Sequence, residues 1–392
     1  MKGKSGGFTL DKNPLSKKSE DFGAKLKLFR SKPEASETPV SSVHQAPSQG
    51  QTPASKLPVR QCIQDYVDNK EMKQTKTFLS IENHCHTASQ IQEDPELNNI
   101  LSQPTVKDLY KDKPLELLDA SNYVMARLSG GENIRIGKGS YGELILARNE
   151  TTKEMVAVKM SNASLEAMIK EFGYQTKAHK ILGKFAPSFK GLLQVRKDSR
   201  HGVSSGFRYL PVMEFCSLAD DAPVAMTLDD ALSLYEKGHD FFSKHEWLQI
   251  CIKILVAVNH LSSSGLHHCD LKDDNILLRF EGDSVYPVII DYGQAKEGIV
   301  YNEKKTLHPR VSEEYMRKYH PHVPPEMFTQ NYLLPTSDLY SAAFCILLIN
   351  EVVFRSKKVQ KEMEAYRKMS AQKRHGYTHL KSTVLQLLSA CL

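Results

Sequence analysis

The residues best suited to chemistry stand together at 268–275, in the order His-Cys-Asp-Leu-Lys-Asp-Asp-Asn. Asp270 can accept a proton from an attacking hydroxyl, and Lys272 can hold the negative charge of a phosphoryl group during its transfer. Asn275 can offer its amide oxygen to Mg²⁺, which prefers hard oxygen ligands. These residue types at this spacing indicate phosphoryl transfer, in which positioning and charge neutralisation do most of the catalysis. A polar loop after a helix would also explain them, so the rest of the chain has to decide.

The elements on either side of this stretch predict a loop held between a helix and two strands. Apolar residues recur every three or four positions over 246–263, which predicts a helix that ends at Gly265. Short apolar runs at 276–278 and 288–290 predict two strands. Asp291 follows the second strand and precedes Tyr292 and Gly293, and an acid at a strand end beside glycine suits a metal ligand.

A glycine-rich turn lies upstream, between two predicted strands. The sequence Gly-Lys-Gly-Ser-Tyr-Gly at 137–142 separates an apolar run at 134–136 from one at 143–147, and a third strand is predicted at 155–160. The glycines therefore belong to a hairpin and do not open a helix, which argues against a dinucleotide-binding fold. Glycine lets a backbone approach phosphates without an intervening Cβ.

The remaining signals complete a mixed α+β pattern. Helices are predicted at 164–182, 227–236, 337–353, 356–374 and 380–391, and a strand at 209–216. Ser337 and Asp338 form an N-terminal capping pattern for the helix at 337–353.

The N-terminal part differs in composition from the rest of the 392 residues. The formal net charge of +6 falls within residues 1–60, because the other residues carry 41 basic and 41 acidic side chains. Residues 1–60 are rich in Ser and Pro and predict a disordered basic tail. Residues 61–129 predict a partly ordered extension with short helices near 63–67 and 97–101, and we expect regular structure to begin near Leu115. A balanced body argues against direct nucleic-acid binding.

Cysteine usage and hydropathy predict an intracellular protein, cytoplasmic or nuclear. The seven cysteines are odd in number and contain no C-x-x-C pair, which is typical of a reducing compartment. The N-terminus lacks the apolar core of a signal peptide, and no apolar run approaches 18 residues. We therefore expect no membrane binding; the sequence leaves the oligomeric state open.

Taken in order, these motifs resemble those of eukaryotic-type serine/threonine protein kinases. The chain from about 130 to 392 carries a glycine-rich loop, a V-A-x-K strand, a helix glutamate, H-x-D-L-K-x-x-N, D-[F/Y]-G, x-P-E and a D-x-[W/Y]-S helix start at Asp338 in the order of that family. The resemblance implies a bilobal fold, with a β-rich N-lobe at about 130–213 and a mainly helical C-lobe at about 217–392 that ends early. It implies ATP and Mg²⁺ as cofactors and serine or threonine residues of proteins as substrates. A compact, divergent kinase of this kind could come from a large DNA virus.

The resemblance also implies residue roles by position. Asp270 would be the catalytic base, assisted by Lys272, and Asn275 and Asp291 would be the Mg²⁺ ligands. Lys159 would contact the phosphates. The residues implied around ATP are Ile136, Gly137, Lys138, Gly139, Ser140, Tyr141, Gly142, Glu143, Leu144, Ala157, Lys159, Met213, Glu214 and Cys216.

Glu171 would be the ion-pair partner of Lys159, with Glu166 as the alternative. Met213 would be the gatekeeper, and Glu214 and Cys216 would offer backbone hydrogen bonds to adenine.

Two departures keep other functions open. Cys269 stands where the family usually has arginine, and the sequence ends at Leu392, near where the later helices of the family begin. Both favour the alternative of a pseudokinase scaffold that binds ATP or partners with little turnover. A small-molecule kinase is a third hypothesis, which Lys272 and the Pro-Pro-Glu segment at 324–326 make less favourable.

Overall fold

The computed structural model describes residues 77–81, 85–128, 131–139, 142–196, 206–218, 224–281, 284–298, 320–324 and 336–355. All of them belong to one compact unit, Val59–Leu392. The predicted tail at 1–60 and the helices predicted at 356–374 and 380–391 lie outside the described residues.

A mostly antiparallel sheet of eight strands forms the N-terminal half of this unit. Its strands are β1 (Thr77–Ser80), β2 (Leu117–Leu118), β3 (Tyr123–Arg127), β4 (Arg135–Gly139), β5 (Gly142–Asn149), β6 (Met155–Ser161), β7 (Phe189–Arg196) and β8 (Phe207–Glu214). Their order is β1-β3-β5-β6-β8-β7-β2, with β4 paired to β5, and β2 runs parallel to β7. The predicted strands around the glycine-rich turn are confirmed.

The expectation that regular structure begins near Leu115 is wrong. Strand β1 pairs antiparallel with β3 and extends the sheet at its edge. Helices α1 (Pro95–Ser102) and α2 (Pro104–Leu109) also precede Leu115. Helix α1 confirms the short helix predicted near 97–101. These elements have only four to eight residues, too few for a clear period, so their order depends on burial against distant residues.

Among the described residues, four longer helices and a second hairpin follow along the chain. They are α3 (Leu165–Leu182), α4 (Leu228–Glu236), α5 (Lys244–Ser263) and α6 (Ser337–Ile349), with strands β9 (Leu266–His267), β10 (Ile276–Glu281), β11 (Ser284–Ile289) and β12 (Lys296–Glu297). The Ser164 hydroxyl caps α3 by accepting from the Ala167 amide, and α3 ends at Gly183, whose φ is 55°. The predictions of α3, α4, α5, α6 and the strands of the β10–β11 hairpin are confirmed within a few residues.

Helix α3 belongs to two of the apolar cores. Its N-terminal half contributes Met168, Ile169 and Phe172 to a core shared with α1, α2 and the sheet. Its C-terminal half contributes Ala178 and Leu182 to a large core that also contains α4, α5, α6 and the β10–β11 hairpin. A shift of α3 therefore changes packing in both halves of the unit.

Helix α6 is the most apolar element. Together with the π-turn Asn350–Phe354 it spans 18 residues and is long and apolar enough to cross a membrane by those two criteria. Nearly all side chains of α6 are buried, and the helix packs against α5 in the large core. This burial is what a core helix requires.

Candidate active site

The stretch at 268–275 forms a loop between β9 and the β10–β11 hairpin. Lys272 Nζ donates to Asp270 Oδ2 over 2.7 Å, and Asn275 Nδ2 donates to the Asp270 backbone oxygen over 2.8 Å and to Oδ2 over 3.1 Å. The second carboxylate oxygen, Oδ1, lies 3.5 Å from His322 Nε2, at the long limit of a hydrogen bond. The loop therefore gathers the acid, the lysine and the amide around one carboxylate.

This environment keeps Asp270 ionised. Burial opposes ionisation, but the neighbouring His322 and the charge and hydrogen bond of Lys272 outweigh it, so the pKa of Asp270 lies well below its usual range. Burial also works against the Lys272 ammonium, yet the nearby carboxylates of Asp270, Asp274 and Asp291 raise the pKa of Lys272. The site therefore holds a fixed negative charge beside a fixed positive charge at neutral pH.

Asp338 anchors this loop from the start of α6. Its carboxylate is 1% exposed and accepts the His268 amide over 2.6 Å and the Cys269 amide over 2.9 Å. Cys269 has a φ of 65°, in the left-handed region that a residue with a Cβ adopts only when its surroundings hold it there. Sequence reasoning took Asp338 for a helix cap, which is wrong: the cap position is Thr336, and the Asp338 oxygens bind the loop.

Lys159 and Glu171 meet beside the loop. Lys159 on β6 donates to Glu171 on α3, with 2.5 Å between Nζ and Oε1, and both side chains are at most 15% exposed. Burial raises the pKa of Glu171 above its usual value despite the opposing charge of Lys159, and Asp291 raises it further. Glu166, the alternative partner, instead binds Lys170 one helical turn away, over 2.6 Å.

The predicted adenine-binding residues share one face of the sheet. Leu144 on β5 lies opposite Lys159 in the register, and Ala157, two positions before Lys159, lies opposite Met213 on β8. Residues opposite each other, or two apart, project from the same face of a sheet. Ile136 packs near this region on β4, in a small core that includes Leu146.

Glu143 does not share that face. It is adjacent to Leu144 along β5, so its side chain projects from the other side of the sheet, where Oε2 lies 3.2 Å from Arg135 Nε. Of the glycine-rich turn, the structure describes the backbone of Gly137, Lys138 and Gly139 and resumes at Gly142. Ser140 and Tyr141 lie outside the described residues.

The segment after Met213 leaves the sheet and is tied to both halves of the unit. The Glu214 carboxylate accepts from Arg279 Nη1 on β10 over 2.6 Å and from the Ser188 amide over 3.0 Å. The Glu214 amide donates to the Ser188 oxygen. Cys216 is buried, and burial raises the pKa of its thiol to about 12, so the thiol stays neutral. The backbone of Cys216 is the part of this residue that we expect to hydrogen-bond to a ligand.

Asn275 and Asp291 form a donor set that suits Mg²⁺. The amide nitrogen of Asn275 is used by Asp270, which fixes the side chain so that its oxygen is the atom left for a cation. Asp291 is exposed, adopts φ 67° and ψ 74°, and its Oδ1 accepts the Gly293 amide over a long 3.4 Å. Two hard oxygen donors on neighbouring segments fit Mg²⁺, which is commonly held by one or two side chains plus phosphate oxygens.

Comparison with known proteins agrees with this geometry. The family model described as "Protein kinase domain" matches residues 132–392. Among curated proteins, the chain is 28% identical over 196 residues to the mouse inhibitor of nuclear factor kappa-B kinase subunit epsilon, covering 45% of the chain and 24% of that protein. It is 26% identical over 168 residues to the Drosophila melanogaster protein kinase C, eye isozyme, covering 42% of the chain and 21% of that protein.

A third relative broadens the range of substrates among similar proteins. The membrane-associated tyrosine- and threonine-specific cdc2-inhibitory kinase wee-1.3 of Caenorhabditis elegans is 28% identical over 214 residues, covering 54% of the chain and 27% of that protein. The matched part of the chain spans about a quarter of the length of these relatives.

Proposed function

The chain belongs to the protein kinase family, and from this premise we propose that it transfers the γ-phosphate of ATP to serine or threonine hydroxyls of proteins. The observation that carries the proposal is the arrangement around Asp270. Its carboxylate is ionised and is held on Oδ2 by Lys272 and Asn275, and Oδ1, which lies 3.5 Å from His322 Nε2, is the oxygen we assign to the hydroxyl proton. A hydroxyl needs such a proton acceptor, and a developing phosphoryl charge needs such a lysine.

The proposed roles follow from the contacts of each side chain. Asp270 accepts the hydroxyl proton, and Lys272 stabilises the charge on the phosphoryl group. Lys159, oriented by Glu171, binds the α- and β-phosphates. Asn275 and Asp291 hold Mg²⁺, which neutralises phosphate charge when bound.

The preference for serine or threonine rests on Lys272. The D-L-K-x-x-N spacing is typical of serine/threonine kinases. One relative is named as specific for tyrosine and threonine, so the acceptor has to be measured directly.

The test is transfer of labelled γ-phosphate from ATP to a generic basic protein, followed by identification of the phosphorylated amino acid. We expect phosphoserine or phosphothreonine, and we expect Asp270→Asn to abolish transfer. The matched control is Asp274→Asn, an exposed carboxylate in the same loop, which should retain activity. Phosphotyrosine would refute the acceptor class, and transfer by Asp270→Asn equal to the wild type would refute the role of Asp270.

A scaffold function is the second candidate, and Cys269 favours it. This residue replaces the family arginine and carries no positive charge, because a thiol is either neutral or anionic. Burial, with a contribution from Asp338, raises the pKa of the thiol far above neutrality and keeps it neutral. ATP binding without transfer by the wild-type protein would support the scaffold. Transfer to choline or an aminoglycoside in place of protein would instead support a small-molecule kinase.

A further inference from the structure

Residues 94–113, which we call the brace, pack on the side of α3 that faces away from Lys159. The brace contains α1, α2 and the turn after α2. Its apolar side chains Leu97, Ile100, Val106, Leu109 and Tyr110 form one core with Met168, Ile169 and Phe172 of α3 and with residues of β7 and β8. The brace therefore lies against the helix that carries Glu171.

Two brace residues contact α3 on either side of Glu171 in the sequence. The Tyr110 hydroxyl donates to the Ile169 backbone oxygen over 2.7 Å. Leu109 packs over Gly173 so closely that a Cβ at Gly173 would lie 2.7 Å from Leu109 Cβ and 2.9 Å from its Cδ1. Glycine is a poor helix former, and this close approach explains its presence in the middle of α3.

The helical period places Glu171 on the side of α3 opposite these contacts. Residues 169 and 173 are four apart and share a face, whereas residues two positions apart are separated by about 200° around the axis. Glu171 thus projects from the opposite side, toward Lys159, where Nζ and Oε1 are 2.5 Å apart. Helix α3 is held between the brace and the ion pair, so movement of the brace changes the distance between Lys159 and Glu171.

The brace is itself fixed to the sheet at both ends. At its start, Asp94 Oδ2 accepts from the Tyr209 hydroxyl on β8 over 2.8 Å. At its end, Lys113 Nζ donates to the Phe189 oxygen on β7 over 2.8 Å, and β2 then pairs with β7. An element anchored in this way transmits the position of the sheet to α3.

We infer that the brace is a built-in positioning element of the active site, with Leu109 and Tyr110 as positioning residues that set Glu171 against Lys159. This inference rests on the proposed function, because an oriented Lys159 matters only if the chain binds and transfers a phosphate. It adds residues from before the matched domain to the machinery of the reaction. A purely structural role would instead stabilise the fold without affecting turnover.

The test compares two buried leucines in the full-length protein. Leu109→Ala removes the contact with Gly173. Leu193→Ala is the matched control, because Leu193 is equally buried in a core of the sheet that contains no residue of α3. A thermal melting curve is recorded for each variant. The kcat, the KM for ATP and the hydrogen exchange of the 165–175 amides are then measured at one temperature below both melting temperatures.

We expect both variants to melt at lower temperature, and only Leu109→Ala to lower kcat by roughly tenfold beyond the control, which corresponds to about 1.4 kcal/mol. Exchange of the α3 amides should rise in Leu109→Ala and stay unchanged in Leu193→Ala. Equal kcat and equal α3 exchange in the two variants would overturn the inference. If wild-type protein transfers no phosphate, the proposed function fails, while the exchange comparison still reports whether the brace holds α3.

Two further variants keep the inference testable if Leu109→Ala does not fold. Tyr110→Phe keeps the ring and removes only the hydrogen bond to Ile169, and should raise α3 exchange and lower kcat a few-fold. Gly173→Ala improves helix propensity but forces Leu109 away, and should lower kcat although alanine is the better helix former. Wild-type kcat and wild-type α3 exchange in both variants would refute the positioning role.

Discussion

Replacing Asp338 by asparagine should disable the loop that carries Asp270 without touching any residue proposed to contact substrate. The Asp338 carboxylate accepts two backbone amides, from His268 and Cys269, in a position that is 1% exposed. Asparagine keeps one oxygen, but its amide group cannot accept the second bond. One buried N–H is then left without its acceptor, and the left-handed conformation of Cys269 loses part of its support.

The expected loss of stability follows from the hydrogen bonds that Asp338→Asn removes. A hydrogen bond to a charged acceptor contributes about 1.5–3 kcal/mol, and leaving a buried donor unpaired costs a similar amount. We therefore expect Asp338→Asn to lower the free energy of unfolding by about 3 kcal/mol. If the same energy separates the ordered loop from alternatives, turnover can fall by up to about a hundredfold.

The assay is urea unfolding together with kcat at saturating ATP, measured where every variant is folded. Ile349→Ala is the control, since Ile349 is fully buried in the same helix, about three helical turns after Asp338. It should lose stability by packing alone and keep its turnover. If Asp338→Asn loses no more turnover than Ile349→Ala, Asp338 does not position the loop.

Four other outcomes are expected. Lys159→Met should nearly abolish transfer with little change in melting temperature; retained transfer or loss of fold would contradict its role. Asp291→Ala should remove Mg²⁺-dependent ATP binding in calorimetry, and unchanged affinity would argue against it as a ligand. Burial and the nearby charges of other carboxylates raise the pKa of Asp273 from 3.8 to about 7. The free energy of unfolding should therefore fall by at most about 4 kcal/mol as the pH rises from about 4 to 7. Asp273→Asn should reduce this dependence of the unfolding free energy on pH, measured by urea unfolding at several pH values, and an unchanged dependence would exclude Asp273 as its source. Thr306 and Ser312 lie in the sequence between Gly293 and Pro324, in the segment that many kinases phosphorylate. Alanine at both positions should lower activity less than about tenfold, because Cys269 stands where an arginine would bind the added phosphate; a larger loss would refute this.

Much of the site could be predicted because its signals are local. The acid, the lysine and the amide of the loop lie within eight residues, so a single short loop brings their side chains into contact. The resemblance of the spacing after Glu171 to the family's helix favours Glu171 over Glu166, and the structure pairs Lys159 with Glu171. Alternation along β5 also predicts that Glu143 and Leu144 face opposite sides of the sheet.

The contacts that were missed join residues far apart in the chain. Asp338 lies about seventy positions after the amides it binds, and a local capping rule competed for the same side chain. Tyr110 and the Ile169 oxygen that it binds are 59 positions apart, and the short helix predicted near 97–101 carries no local signal of the element it packs against. Gly173 carried the one available signal, since a glycine in the middle of a predicted helix indicates close approach by another element.

The relative strength of the contacts on α3 decides what holds this helix in place. Two of its ion pairs join it to other elements, Lys177 with Glu297 over 2.7 Å and Lys180 with Asp112 over 2.6 Å, and solvent reaches the side chains of both pairs. Exposed pairs of this kind contribute about 0–1 kcal/mol each, whereas burying one leucine contributes about 1.5–3 kcal/mol. The apolar contacts of the brace and of the two cores therefore outweigh the surface charges. Because burial sets the orientation of α3 when the chain folds, a phosphate added later should change the orientation of α3 little.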